Sequence, residues 1–388
     1  MGNFVLMKSL IVGFEAKRAV SNMTGLGNYS RLVVEVLSQA RPDWQFRLYA
    51  PRIHDNPRLT PLLGQENVAL VAPDDDIWRH FSSAWRVYGG LTSQIRRDGV
   101  QLFHGLSNEL PLDIKRAHIP SVVTIHDLIF RRFPSGYNSP DRAIYDYKFS
   151  HSARNATRVI AISECTKRDL VELYDIDPTK IDVVYQGCNP VFSQPVSPET
   201  ILQARRRYKV SGNYFISVGT VEERKNQLLA VRALPYLPSD LKLVIVGRPS
   251  KGYAAQVHAE IERLGVASRV IWLQNVGLEA LPPLYAGALF SSYTSRYEGF
   301  GLPVIESINC GTPVIAATGS CLEEAGGPGA IYVNPDDLEA YIAAVEKLLN
   351  DPSLRASMVA EGRMHTAAFS PSQFAASMLS TYAKALSQ

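Results

Sequence analysis

No apolar run in the chain approaches the ~20 residues that a bilayer-spanning helix needs, so no stretch reads as a membrane span. Cysteine is scarce. Cys165, Cys188, Cys310 and Cys321 are far apart and lack metal-type pairing, a usage that suits a reducing cytoplasm better than a disulfide scaffold. Excess charge is small too: +3 over 388 residues is too little to imply a nucleic-acid partner. No internal repeat or low-complexity tract occurs. The start, Met1 to Ala16, carries Lys8 and Glu15 around a short apolar core and has no cleavage-like end, so it reads as a first buried strand, not a signal peptide. Asn-x-Ser/Thr triplets at Asn22, Asn28 and Asn155 would matter only in a secretory lumen and read as chance.

What is present is the composition of a soluble globular protein, 46% hydrophobic and 20% charged, with length enough for two domains. Short apolar runs at Leu10–Phe14, Phe46–Tyr49, Val68–Val71, 101–104, Ser121–Ile125, 158–162 and 181–185 have the form of buried strands, with helical stretches between several of them. A polar stretch from Phe192 to Asn213, broken by Pro195 and Pro198, predicts a domain boundary near Ser193 to Val196. Strand-like runs resume at Tyr214–Val218, 243–247, Val270–Leu273, 289–293, 313–316 and 331–334. The expected division is 1–194, 195–370, and a last helical segment over 371–388. Strands alternating with helices predict parallel sheets covered on both faces, with ligands bound beyond the strands' carboxyl ends.

The densest candidate stretch is Arg296 to Gly311. Pro303 fits the first position of a short helix and Gly311 the left-handed position just past its end. Gly299 and Gly301 remove two Cβ atoms ahead of that helix, so backbone amides at its positive end can approach a phosphate. Glu298 precedes the helix and Glu306 lies one turn inside it, flanking such an anion; taken singly, each also reads as an ordinary loop or helix-surface acid. Upstream, the Tyr214–Val218 strand runs into Gly219, Thr220 and then the adjacent cations Arg224 and Lys225, a second anion-binding turn.

In the first half, Gly25 and Gly27 lie between a strand and the helical run Tyr29–Leu37. They read as a phosphate-style loop or simply as a mobile one, because the third glycine of a dinucleotide fingerprint is missing. His126 ends the Ser121–Ile125 strand, while His104 reads as a core histidine. Asp74, Asp75 and Asp76 precede an amphipathic run over 77–95 and read as a helix cap in preference to a metal site. Phe130 to Tyr137 reads as a loop whose Arg131 and Arg132 could meet anionic groups of a membrane-anchored acceptor.

Glu298 to Glu306 resembles, without a gap, the Glu-x7-Glu signature of glycosyltransferase family 4, retaining enzymes of the GT-B fold. The resemblance implies an α/β chain of two Rossmann-like domains facing each other across a cleft, with the last helix crossing back to the first domain. It implies that Glu298 contacts the donor sugar, that Glu306 holds the ribose hydroxyls, and that the Phe300, Gly301 and Leu302 amides face the phosphates. It further implies that Arg224 and Lys225 stabilise the leaving diphosphate beside Gly219 and Thr220. Thr24 to Tyr29 is similar to the family's N-terminal glycine loop, which implies Gly25 and Gly27 near donor phosphates and acceptor, and His126 is similar to its histidine beside the donor sugar. Thr220 departs from the pattern, since many members carry Arg there, and Arg224 is the residue that could supply the missing guanidinium.

By the same resemblance no metal and no cofactor is expected, only a nucleotide-sugar co-substrate. The Ala16-Lys17-Arg18 start and the loop after it resemble bacterial mannosyltransferases of surface polysaccharide assembly. That implies GDP-mannose over a UDP-sugar, a saccharide or lipid-linked acceptor, and a cytoplasmic location with peripheral membrane contact. A GT-B epimerase and a non-catalytic sugar-nucleotide binding protein are the alternatives.

Overall fold

Val68–Val71, Ser121–Ile125, Tyr214–Val218 and Val270–Leu273 form strands over the very residues of their apolar runs. The structure is a computed structural model that describes residues 9–53, 56–250 and 252–388. Met1 to Lys8, the opening of the expected first strand segment, lie outside the described residues. The chain divides into two units, one of residues 1–187 with 371–388 and one of residues 188–370.

Among the described residues the first unit holds seven parallel strands: β1 (Ile11–Glu15), β2 (Gln45–Tyr49), β3 (Val68–Val71), β4 (Leu102–Gly105), β5 (Ser121–Ile125), β6 (Arg158–Ala161) and β7 (Ile181–Val183). Their spatial order is β3-β2-β1-β4-β5-β6-β7. Every residue of β4, β5 and β6 is buried, which is why these strands read as continuous apolar runs and not as an alternation. The second unit repeats the plan with six: β8 (Tyr214–Val218), β9 (Lys242–Val246), β10 (Val270–Leu273), β11 (Ser291–Tyr293), β12 (Val314–Ala317) and β13 (Ala330–Val333), in the order β10-β9-β8-β11-β12-β13. Both orders start from a central strand, build outward one way, and then reverse. The reversal lies between β1 and β4 in one unit and between β8 and β11 in the other, so the loops after those strands diverge and leave room for a ligand.

Sequence and structure differ at the boundary. It falls after Gly187, ahead of the expected 194, because the Pro190–Ser193 turn packs into the second unit. There Phe192 is buried edge-on against Tyr285, ring centroids 6.2 Å apart, and its carbonyl accepts from Cys310 Sγ at 3.5 Å. The last helix, Pro371–Leu386, belongs to the first unit, where Tyr382 is fully buried and its hydroxyl meets His104 Nδ1 at 2.7 Å. Thr124 Oγ1 meets the other ring nitrogen at 2.9 Å, so His104 is a core histidine as expected.

The run over 77–95 is not one helix but three short ones, Asp76–His80, Ser82–Val87 and Gly90–Arg97. The last break is at Gly89, whose φ of 81° an L side chain rarely adopts. Asp75 accepts from the Ile77 amide at 2.7 Å as the helix cap, and Asp74 and Asp76 pair with Arg97 and Arg79.

Candidate active site

In the second unit, β8 and β11 are neighbours, so the turn after one meets the loop after the other. Past β8 the chain bends at Gly219, φ 143°, and a Cβ at Gly247 on the adjoining strand end would stand 1.8 Å from the Gly219 carbonyl. A 3-10 turn over Glu223–Lys225 then ends at Asn226 in the left-handed region, φ 55°. This turn aims both cations at the loop after β11. Arg224 Nη1 lies 2.8 Å and Lys225 Nζ 2.5 Å from the same Oε1 of Glu298, which is 8% exposed. Lys225 also donates to the Tyr293 hydroxyl at 2.6 Å, and that hydroxyl donates to Glu298 at 3.1 Å. Arg224 Nη2 lies 2.5 Å from Glu222. Burial alone would raise the Glu298 carboxyl, but Lys225 first and Arg224 second overcome it and hold it at about 2.

Arg224 and Lys225, the adjacent cations of the expected anion-binding turn, are therefore not an open positive patch. Glu222 and Glu298 already balance them, because two partly buried cations without acids would be costly. An ammonium has three N–H groups, and among the described residues the Tyr293 hydroxyl and Glu298 take two of those on Lys225, leaving one for an incoming oxygen.

After Glu298 the chain turns at Gly301, φ 128°, into the Leu302–Asn309 helix, with Pro303 at its second position and Gly311, φ 87°, just past its end. A Cβ at Gly301 would stand 2.9 Å from Leu322, so glycine serves packing as well as conformation. Cys321 Sγ donates to the carbonyls of Phe300 at 2.6 Å and Glu298 at 3.1 Å, tying the loop down from below. One turn into the helix, burial pushes the Glu306 carboxyl up to about 7, opposed only by a 3.4 Å hydrogen bond from the Tyr285 hydroxyl. The two acids thus differ in kind: Glu298 is a permanently charged clamp, Glu306 a carboxylate short of donors.

In the first unit, Gly25 and Gly27 are not in a loop. They open the Gly25–Ala40 helix, because the Asn22 side chain accepts from the Thr24 amide at 2.8 Å and the Gly27 amide at 3.2 Å and so starts the helix early. Gly25 has nothing within 4 Å of a Cβ, whereas a Cβ at Gly27 would stand 1.8 Å from the Asn22 carbonyl. His126 follows β5 at 4% exposure, its ring edge-on to Tyr29 with centroids 4.5 Å apart. Its Nε2 lies 2.9 Å from the Leu106 carbonyl and so carries the proton, while Nδ1 has only a 3.4 Å contact with the Gln186 amide. Burial lowers its pKa to about 4, so the ring is neutral and Nδ1 is an acceptor.

The family model for "Glycosyltransferase Family 4" matches residues 24–192, and the one for "Glycosyl transferases group 1" matches residues 200–365. Together they span both units. This chain is a family 4-like glycosyltransferase. It is 27% identical over 379 residues to O-antigen chain mannosyltransferase B of Escherichia coli, covering 90% of this chain and 93% of that one. To D-inositol 3-phosphate glycosyltransferase of Acidothermus cellulolyticus it is 32% identical over 247 residues, 60% of this chain and 54% of the other. Anabaena HepE, solved in complex with UDP and glucose, has the same fold, with a TM-score of 0.73, 20% identity, and coverage of 96% and 99%. The GT-B pair of Rossmann-like domains is thereby shown.

Two further expectations for the glycosyltransferase are revised by its side-chain contacts. Phe130 to Tyr137 is not an open loop but a helical turn over Ile129–Arg132 and a 3-10 turn over Pro134–Gly136. Arg131 pairs with Asp146 at 3.2 Å and Arg132 with Asp169 at 2.6 Å as well as with Glu172, so their charge is met within the unit. Conversely, Tyr293, Glu222 and Cys321 contact the candidate residues or their loop and do not stand out in the sequence. Tyr293 had a signal, the last residue of a strand beside the reversal point; Glu222 and Cys321 act through contacts that no local pattern records.

Proposed function

We propose that this glycosyltransferase moves mannose from GDP-mannose to a hydroxyl of a saccharide or lipid-linked saccharide in surface polysaccharide assembly, keeping the anomeric configuration and using no metal ion. The convergence of Arg224 and Lys225 on Glu298 at the reversal point between β8 and β11 carries this reading. The name of the Escherichia coli relative supports mannose and a saccharide acceptor, and the UDP and glucose in Anabaena HepE support a nucleotide-sugar donor.

In this reading the donor diphosphate takes the free N–H of Lys225 and the amides ahead of Pro303, while Glu298 keeps both cations in place. The bond from the sugar C1 to phosphate oxygen breaks with its electrons going to the diphosphate, where fixed positive charge stabilises them. The acceptor oxygen bonds to C1 on the same face and its proton passes to the departing phosphate oxygen. Ionised Glu306 accepts from the ribose hydroxyls, and in the first unit neutral His126 offers Nδ1 as a hydrogen-bond acceptor.

A donor panel with and without lipid-linked acceptor, read as nucleotide release, tests this. Acceptor-dependent GDP release is the expected result. Donor turnover without acceptor would indicate an epimerase, and binding without release a non-catalytic protein.

Glu306 makes donor affinity pH-dependent. Its folded pKa lies above the ordinary value, so the native state favours the protonated form and ionising it costs stability as pH rises from about 4.5 through about 7. Glu306→Gln removes that cost. Melting curves should show the variant gaining stability relative to the parent at pH 8 but not at pH 4, while its donor KM rises. A stability difference that does not change with pH would remove the buried-acid account.

A further inference from the structure

At the other edge of the first sheet, where β5 and β6 begin, the first unit holds a cavity of about 740 Å³. It is walled by the Ile114–Ala117 turn, by Ser121 and Arg158 at the starts of those strands, and by the Pro178–Lys180 turn. Gly25 and His126 lie at or beyond the strands' carboxyl ends, so this cavity is separate from the site residues of the same unit. Its volume is that of a small-molecule site, roughly 300–1,000 Å³.

The lining charge is one-sided. Of the cations, Arg158 is taken up by Asp182, with contacts of 2.9 and 2.7 Å. Lys115, Arg154 and Lys180 have no carboxylate partner within ion-pair distance among the described residues; Lys180 Nζ instead donates to the Arg154 carbonyl at 2.8 Å. The one acidic side chain in the lining, Asp177, accepts at Oδ1 from the Thr179 amide and hydroxyl at 2.8 and 2.7 Å and offsets the lining cations only in part. Burial first, then Lys115 and Arg158, lower the Lys180 ammonium to about 8 against the raising effect of Asp177.

We propose that this cavity is a second ligand site, for a multiply charged phosphate-bearing anion gripped by Lys115, Arg154 and Lys180. Two ammonium groups supply point charges and the guanidinium a planar fork, a set suited to phosphate oxygens. The anion offsets cations that have no ion-pair partner among the described residues. A concave site of this size takes a soluble phosphate compound or the phosphate of a lipid headgroup.

Calorimetric titration with inorganic pyrophosphate tests the proposal on the parent protein, where the donor turn and this cavity should give two binding events. Lys115→Ala and Lys180→Ala should weaken only the event at this cavity, at least ~10-fold per lysine, whereas Lys180→Arg should retain it. A second arm measures sedimentation with phosphatidylglycerol vesicles against phosphatidylcholine vesicles. Loss of phosphatidylglycerol binding in the double-lysine variant, without any pyrophosphate binding at this cavity, would identify lipid phosphate as the source. Pyrophosphate and vesicle behaviour both unchanged by the lysine substitutions would overturn the site. Unaltered melting temperatures confirm that the variants are folded, as expected for lysines with no ion pair to lose.

Discussion

Lys225→Ala should lower kcat by about 10²–10³-fold, the usual loss when one fixed donor to a developing negative charge is removed. Lys225 is 2.5 Å from Glu298 and 2.6 Å from the Tyr293 hydroxyl, so its ammonium is held in place before a donor arrives. The effect should fall on kcat more than on KM, because the charge it meets grows as the sugar–phosphate bond breaks. Lys225→Arg should recover little: a planar guanidinium cannot satisfy Glu298 and the Tyr293 hydroxyl from the ammonium's position and still present a donor outward. Glu306→Asp, which shortens a group assigned to the ribose, should cost far less. Steady-state kinetics on both variants decides the matter, and equal, small losses would contradict the phosphate role of Lys225.

Gly27→Ala should destabilise the first unit by about 3 kcal/mol or more, at or beyond the usual upper range for overpacking. The new Cβ would stand 1.8 Å from the Asn22 carbonyl, a backbone atom whose residue also caps the helix through its side chain, so neither partner can withdraw cheaply. For a unit of this size the melting temperature should drop by roughly 6–12 °C. Gly25→Ala, two residues earlier, has nothing within 4 Å of its Cβ and should leave melting unchanged or slightly raised. If that open face is where donor phosphates or acceptor approach, Gly25→Ala raises KM in a fully stable protein. Thermal melts and kinetics on the two variants separate the roles, and equal loss of stability in both would refute the helix-entry geometry.

These two glycines show how far local pattern carries. As Gly-x-Gly they suggest a loop that cradles phosphate; in the structure they belong to a helix, because the Asn22 side chain caps its amides from outside the pattern. The run over 77–95 fails similarly: its periodicity is helical, but a left-handed Gly89 interrupts it, and a Cβ at Gly90 would collide with the Trp85 ring at 2.5 Å. The Pro352–Thr366 helix was not anticipated, for it buries only Met358, Gly362 and Thr366 and so has little apolar stripe to read. The strands were the legible part, since a parallel sheet buried on both faces demands continuous apolar residues of the kind seen at Ser121–Ile125 and Tyr214–Val218.

For the candidate site, the sequence names residues but not their charge state. Arg224, Lys225, Glu298 and Glu306 stand out because glycines, a proline and adjacent cations at strand ends are rarely needed together for packing alone. Their identities, and the membership in a glycosyltransferase family that they signal, follow from sequence by itself. Tertiary structure decided the rest. By setting β8 beside β11 it places the two cations on one carboxylate and Tyr293 between them, while Glu306, eight residues on, has no ion-pair partner among the described residues and is pushed by burial up to about 7. The physical reason is that a residue's chemistry comes from its own atoms, but its protonation comes from what burial removes and which charges pack against it, and those neighbours lie some seventy positions away in the chain.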